Sequence, residues 1–225
     1  MTDLRPVPAT GIGPGYDRHA ATYDHDTRRF DGFRERAVSA LGLRRGDTVL
    51  DVGCGTGLCF RWIQAHIGPS GRLIAVEPSP EMLDKAMQRA AQHGWDNVIP
   101  INSAAADLDV PLIADAVLFC ATHDVLRSPR ALANVFRHLR PGARVAAIGG
   151  KWVSPWLWPL NLLVFQLHAP YVSSFDGFDS PWSNLRAYCE GLRVQTIAWG
   201  TGYLATGTAD GATSNALPIP GWHPS

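Results

Sequence analysis

At 225 residues, with 46% hydrophobic and 18% charged side chains, the chain has the length for one domain with a sizeable core. Its 20 basic side chains balance its 20 acidic ones, so it lacks the basic footprint of a nucleic-acid partner. The N-terminus has no apolar signal-peptide core, and Cys54, Cys59, Cys120 and Cys189 form no C-x-x-C pair, which reads as a cytoplasmic protein with reduced thiols and no metal site.

Residues 1–15 are rich in Pro and Gly without periodicity and read as a flexible arm. Tyr16-Asp17-Arg18-His19-Ala20-Ala21-Thr22-Tyr23-Asp24 follows. Phe33, Ala37, Val38 and Leu41 stand at helical spacing, and Gly42 closes that helix. Arg44-Arg45-Gly46-Asp47 makes a turn before Val49-Leu50-Asp51-Val52-Gly53-Cys54-Gly55-Thr56-Gly57. There Val49, Leu50 and Val52 predict a strand covered on both faces. Gly53, Gly55 and Gly57 carry no Cβ, so the backbone can turn sharply and come close to a ligand. Residues 58–67 predict a helix opening from that turn, and its free N–H groups complete a cradle. The helix stops at Gly68-Pro69-Ser70-Gly71. A second strand, 73–76, ends at Glu77-Pro78. Ser79 then suits an N-cap, Pro80 the first helical position and Glu81 the positive end of the dipole. Met82, Leu83, Ala86, Met87 and Ala90 form the apolar stripe of a helix that ends at Gly94. Residues 98–101 make a weaker third strand, followed by Asn102-Ser103-Ala104, with Asp107 a solvated loop residue.

Residues 116–120 are an uninterrupted apolar run, as a central parallel strand requires. Their exit, Ala121-Thr122-His123-Asp124-Val125-Leu126, should face a ligand, because ligands of open α/β sheets sit outside the carboxyl ends of strands. A helix over 129–139 ends at Pro141-Gly142, and 144–148 form the next strand. Residues 150–182 hold Trp152, Trp156, Trp158, Trp182, Phe165, Tyr171 and a run of leucines, broken by Pro155, Pro159 and Pro170. The prolines, Gln166 and His168 argue against a membrane-spanning helix. A short helix over 182–190, strands over 193–199 and 203–208 around a turn at 200–202, and a tail over 209–225 complete the chain.

The dinucleotide fingerprint G-x-G-x-x-G, begun at Gly53, would need Gly or Ala where Leu58 stands. The pattern present is Asp51-x-Gly53-x-Gly55-x-Gly57, with Glu77 at the end of the next strand. It resembles motif I of the class I S-adenosylmethionine-dependent methyltransferases, of the small-molecule, quinone-biosynthesis-like kind (type 11). The resemblance implies an α/β, Rossmann-like doubly wound sheet of about seven strands, mostly parallel with an antiparallel final strand, plus a helical lid insertion. It places the domain at 16–208, with the lid at about 150–182, and implies S-adenosyl-L-methionine as cofactor. Asp51, Gly53, Cys54, Gly55 and Gly57 would then form the cofactor loop, with Cys120 at the end of the adjacent strand. Glu77, followed by Pro78, would hold the ribose hydroxyls. Met82 reads as core and, by the resemblance, as the floor of the adenine. Where the family has Gly-Asp-Ala, Ser103 and Ala104 stand in the adenine-binding position without the charge. The Tyr16–Asp24 stretch resembles the family's Y-D-x-x-A-x-x-Y-D segment, which implies Tyr23 near the cofactor; a half-buried anchor is its other reading.

The activity expected on these grounds is methyl transfer to a small, largely apolar acceptor, with O- or C-methylation of a quinone- or polyketide-like ring leading. The alternatives are N-methylation of a lipid amine such as phosphatidylethanolamine, a non-catalytic cofactor-binding protein, and an NAD-dependent oxidoreductase. The segment at 121–126 resembles the family's Leu-His-His-Val motif. His123 is the candidate base and Asp124 its orienting or acceptor-binding neighbour; a loop histidine satisfied by backbone is the plain reading of His123. Trp152, Trp156, Trp158, His168 and Tyr171 are read as the acceptor wall of the lid. A packing helix and an interface anchor, with peripheral membrane contact, stay open for the same segment.

Overall fold

A computed structural model of the chain describes residues 30–170 and 172–211. Tyr23, Tyr171, the arm at 1–15 and most of the tail lie outside the described residues.

Seven strands form one sheet: β1 (Thr48–Val52), β2 (Arg72–Val76), β3 (Val98–Ile101), β4 (Ala114–Cys120), β5 (Leu139–Gly150), β6 (Cys189–Ile197) and β7 (Gly202–Ala209). Their order is β3-β2-β1-β4-β5-β7-β6. Neighbours from β3 to β5 pair parallel, and β7 runs antiparallel to both β5 and β6. The order reverses between β1 and β4, so the crevice at their carboxyl ends is the topological switch point, where ligands of such sheets bind.

The helices are α1 (Asp31–Ala40), α2 (Phe60–Ile67), α3 (Pro80–Gln92), the single turn α4 (His123–Leu126), α5 (Pro129–Arg137) and α6 (Trp158–His168). Alternation along each strand sorts side chains between two cores. Val49, Leu73, Ala75, Leu118 and Ile148 pack with Val38 of α1, Phe60 and Ile63 of α2 and Ala86 of α3. Leu50, Val52, Ile74, Phe119 and Val145 pack with Leu132, Val135 and Phe136 of α5. All five residues of β1 are buried, as the apolar run requires of a strand with helices on both faces. Ser79 caps α3 by accepting from the Met82 N–H at 3.3 Å, with Pro80 in its first turn, as read from the sequence.

Three boundaries differ from the sequence reading. The helix expected over 129–139 ends at Arg137, and Pro141-Gly142 lies inside β5. Leu139 pairs with Ala114 and Arg144 with Ala116, so β5 carries a bulge there, with Gly142 at φ +73°. The helix expected over 182–190 is only a short 3-10 turn, Ser183–Ala187, because Cys189 already pairs with Ala209. Gly191, at φ +60°, sits in the register shift between Glu190 and Arg193 rather than capping a helix. The last strand extends to Ala209, which is buried, so the tail starts later than expected.

Candidate cofactor and acceptor site

The site is built where β1, β2 and β4 end. Leaving β1, the backbone of Gly53, Gly55 and Gly57 takes φ of +68°, +56° and +75°, a region that side-chain-bearing residues avoid. The three glycines do different work. A Cβ on Gly53 would lie 2.5 Å from Thr122 Cγ2, and one on Gly57 would lie 2.8 Å from the Phe60 ring, so these two permit close packing. A Cβ on Gly55 would meet nothing within 4 Å. That is the open part of the cradle.

Glu77 ties the cradle to β2. Its Oε2 accepts from the Gly55 N–H at 3.0 Å and its Oε1 from the Ser79 N–H at 3.0 Å. Asn102, which the sequence reading passed over, donates from Nδ2 to the carbonyls of Glu77 (3.0 Å) and Pro78 (3.1 Å) and pins the end of β3 to this turn. An Asn directly after a strand was the available signal. Ser103 donates from its hydroxyl to its neighbour's carbonyl, Ala104, at 3.0 Å, and both residues are half-buried beside that turn. Met82 is 1% exposed, in the first turn of α3.

Asp51 is the telling residue. It is buried, and neither carboxylate oxygen has a hydrogen-bond partner among the described residues. Burial, with the Glu77 charge adding to it, pushes its pKa up to about 7. A buried, unpartnered carboxylate is costly and native structures rarely keep one without a ligand to answer it. The set has the chemistry to hold S-adenosylmethionine: Asp51 would answer its ammonium, a strand-end carboxylate such as Glu77 its ribose diol, and Gly55 would leave room for it. Cys54 is buried beside Asp51, and burial together with the two carboxylates holds its thiol protonated. Cys59, with its thiol against that of Cys120, is likewise held protonated. All four cysteines are free. Among the described residues no group of three His, Cys, Asp or Glu could hold a metal ion.

The titration of Asp51 gives a prediction with a definite sign. Below about 3.8, Asp51 is neutral in both the folded and unfolded states; as pH rises towards about 7 the unfolded chain ionises first. Stability of the cofactor-free protein should therefore fall across that window and level above it. Affinity for a ligand bearing an ammonium should instead rise with pH up to about 7. Asp51→Asn should flatten both profiles and weaken binding, which thermal melts and calorimetry at several pH values would record. Unchanged profiles in the variant would show that another group titrates.

The acceptor side begins at the end of β4. Ala121 has φ +58°, a strained conformation for a residue with a Cβ, and strain of this kind gathers at functional sites. Thr122 packs on Gly53, so the exit of β4 touches the glycine loop. His123 opens α4. Its Nε2 lies 3.1 Å from the Asp176 carbonyl, which can only accept, so the neutral ring carries its proton on Nε2. Nδ1 then keeps a free lone pair, and it is buried without a partner among the described residues. Burial lowers the His123 pKa below its ordinary value, so the ring is neutral at neutral pH.

Asp124 does not orient His123. Its Oδ1 and Oδ2 accept instead from the Ser173 hydroxyl (2.7 Å) and Ser173 N–H (3.2 Å), and no hydrogen bond joins it to the imidazole. With Arg127, which pairs with Asp176 at 3.3 Å, it clamps the 173–176 loop onto α4. Of the residues expected in the wall, Trp152 stacks on Phe175 at 5.0 Å and meets the Phe178 edge at 5.2 Å. His168 packs edge-on to Phe178 at 5.4 Å and against the end of β5, where a Cβ on Gly150 would overlap its ring. Phe178 is 1% exposed and touches His123 at 4.9 Å, yet its setting among Gly and Asp in the sequence gave no sign of this. Trp156 and Trp158 are not brought to the site. They stand 91% and 67% exposed on the outer surface, because α6 buries only Val164. A separate groove of about 560 Å³ lines one face of α2, with Gln64, Gly68, Trp95 and Asn97 on its walls, away from the strand ends that carry this chemistry.

Residues 49–142 match a family model described as a methyltransferase domain. Over this stretch the chain is similar to the class I S-adenosylmethionine-dependent methyltransferases. S-adenosylmethionine is the cofactor that this similarity implies. Among relatives, the chain is 29% identical over 137 residues to a demethylmenaquinone methyltransferase of Symbiobacterium thermophilum, covering 57% of this chain and 55% of that one. It is 28% identical over 141 residues to a 2-phytyl-1,4-naphtoquinone methyltransferase of a Nostoc species, covering 59% and 62%. The chain spans less than two thirds of the length of these curated relatives. A solved S-adenosylmethionine-dependent methyltransferase from Aquifex aeolicus shares the fold, with a TM-score of 0.59 at 20% identity, covering 88% of this chain and all (100%) of that one. The methyltransferase fold therefore accounts for the strand order and for the glycine cradle. Among the described residues no helix is long and apolar enough to cross a membrane.

Proposed function

We propose that this methyltransferase transfers a methyl group to a small, largely apolar acceptor, with O- or C-methylation of a quinone- or polyketide-like ring as the leading reaction. The observation that carries the reading is the contact between the two halves of the site. Thr122 packs on Gly53 of the glycine loop, and the next residue, His123, lies edge-on to Phe178, which packs with Phe175 and Trp152. The bound cofactor supplies an electrophilic methyl on a sulfonium, which is where the hard chemistry resides. The chain's own residues have the remaining tasks. The rings offer an apolar wall for a flat acceptor and exclude water, so orientation and proximity do most of the work. The His123 Nδ1 lone pair takes the proton that a phenol or enol must lose, while the Asp176 carbonyl holds Nε2–H and fixes the tautomer.

The names of the two quinone-methylating relatives support the acceptor class. A lipid amine is the second reading, favoured by the exposed apolar surface of α6. The test is turnover of methyl-labelled cofactor with purified protein against hydroquinones and, separately, phosphatidylethanolamine vesicles. Label is expected on ring oxygen or carbon. His123→Asn should lower kcat by about 10²–10⁴-fold, the usual contribution of a general base, with cofactor affinity nearly unchanged. Tight S-adenosylhomocysteine binding with no transfer to any acceptor would point instead to a non-catalytic binding protein.

A further inference from the structure

We propose that α6 and the tryptophans flanking it form a face that docks on the surface of a lipid bilayer. Between Lys151 and Asp176 the chain has no Asp, Glu, Lys or Arg. Its helix α6, WPLNLLVFQLH, is apolar nearly all round, and such a helix ordinarily lies buried. Here only Val164 is buried. Trp156 is 91% exposed and Trp158 67%, and Leu157, Leu162, Leu163 and Phe165 are each about half exposed. Large exposed apolar patches mark interaction surfaces.

A second, independent observation lies beside it. Ala198 and Trp199 have φ of +50° and +57°, a conformation that disfavours side chains with a Cβ and bulky ones most. Trp199 is nevertheless 96% exposed, so no burial among the described residues offsets that strain. The turn adjoins the start of the lid, since a Cβ on Gly200 would come within 3.2 Å of Val153 Cγ1.

The occupant follows from charge and shape. Trp156 and Trp199 project almost free of the surface, and a second protein copy would need matching hollows to receive them. A headgroup layer deforms around a protruding indole, and Trp is favoured where an apolar medium meets water. The absence of ionised groups over the whole stretch removes any ionic desolvation cost and any dependence on lipid charge, which matches a neutral, zwitterionic surface. The face is also continuous with the acceptor side. Phe165 stacks on Phe175 at 5.2 Å, Phe175 meets Phe178 at 5.0 Å and Phe178 meets His123 at 4.9 Å. The docking face is thus joined to His123 by a continuous run of apolar ring contacts, which places a bilayer-dissolved acceptor beside the acceptor side of the site. Only this last point rests on the proposed reaction; docking itself does not.

The test uses the full chain and phosphatidylcholine vesicles, with neither cofactor nor acceptor present, so it reads docking apart from methyl transfer. The protein should float with the vesicles equally at low and high salt, and brominated acyl chains should quench its tryptophan fluorescence. Trp156→Ala, Trp158→Ala and Trp199→Ala should each lower the partition coefficient by at least about tenfold, the equivalent of losing one buried aromatic side chain. A melting temperature equal to that of the parent chain confirms that a variant still folds. Should the tryptophan variants fail that check, Leu162→Ser with Leu163→Ser tests the same face. Failure of the full chain to float, partition unaffected by the substitutions, or a dimer in ultracentrifugation that the variants lose would each overturn the proposal.

Discussion

Gly55→Val should abolish cofactor binding, at least about a hundredfold in S-adenosylhomocysteine affinity, and leave a folded protein. The physical basis is the asymmetry among the three glycines. A Cβ at Gly55 meets no protein atom within 4 Å, so the main cost to the fold is that of a left-handed backbone at φ +56°, about 1–2 kcal/mol. It occupies instead the space that the cradle leaves for a ligand. Gly53→Ala and Gly57→Ala should behave oppositely. Their new methyl groups run into Thr122 and Phe60, so these variants should melt earlier, with weaker binding following from the lost fold. Thermal melts and calorimetry on the three variants separate the two behaviours. Parental affinity in Gly55→Val would place the ligand elsewhere.

Glu77→Ala should damage both stability and binding. Glu77 is 6% exposed and accepts from two backbone N–H groups, those of Gly55 and Ser79. A hydrogen bond to a charged group is worth about 1.5–3 kcal/mol, so losing both should cost on the order of 3–6 kcal/mol of stability. The ribose contact would be lost as well, a further factor of at least about ten in affinity by the same scale. Glu77→Gln keeps one acceptor oxygen and should cost about half as much. Either substitution also removes a charge that raises the pKa of Asp51, so the pH midpoint of cofactor binding should move below about 7. A Glu77→Ala protein that is as stable as the parent would show that the turn does not depend on this carboxylate.

Much of the fold was legible in the sequence because its signals are local. The apolar run before Gly53 can only be a covered strand, and three glycines after it permit a turn that few other residues allow. Ser79, Pro80 and Glu81 announce the start of α3, since capping depends on residues a turn apart. The meeting of Asp51 and Glu77 was legible for the same reason: they stand near the ends of neighbouring strands, and strand ends follow from pattern.

The rest needed tertiary contact. Pro141-Gly142 reads as a helix stop, yet the pull of pairing between Leu139 and Ala114 turns it into a bulge within β5. Asp124 reads as a partner for its neighbour His123, but it meets Ser173 from a loop 49 positions away, while His123 meets the Asp176 carbonyl. Phe178 joins His123, His168 and Trp152 only because the lid folds back across the end of the sheet. The tryptophans show the division best. Their number and the absence of charge around them are properties of the sequence, and both suggest an apolar wall. Whether such a wall faces inwards or outwards depends on which side of α6 meets the domain, and a helix apolar on every side carries no pattern to decide that. The packing of Val164 and His168 against the domain decides it, leaving Trp156 and Trp158 on the outside.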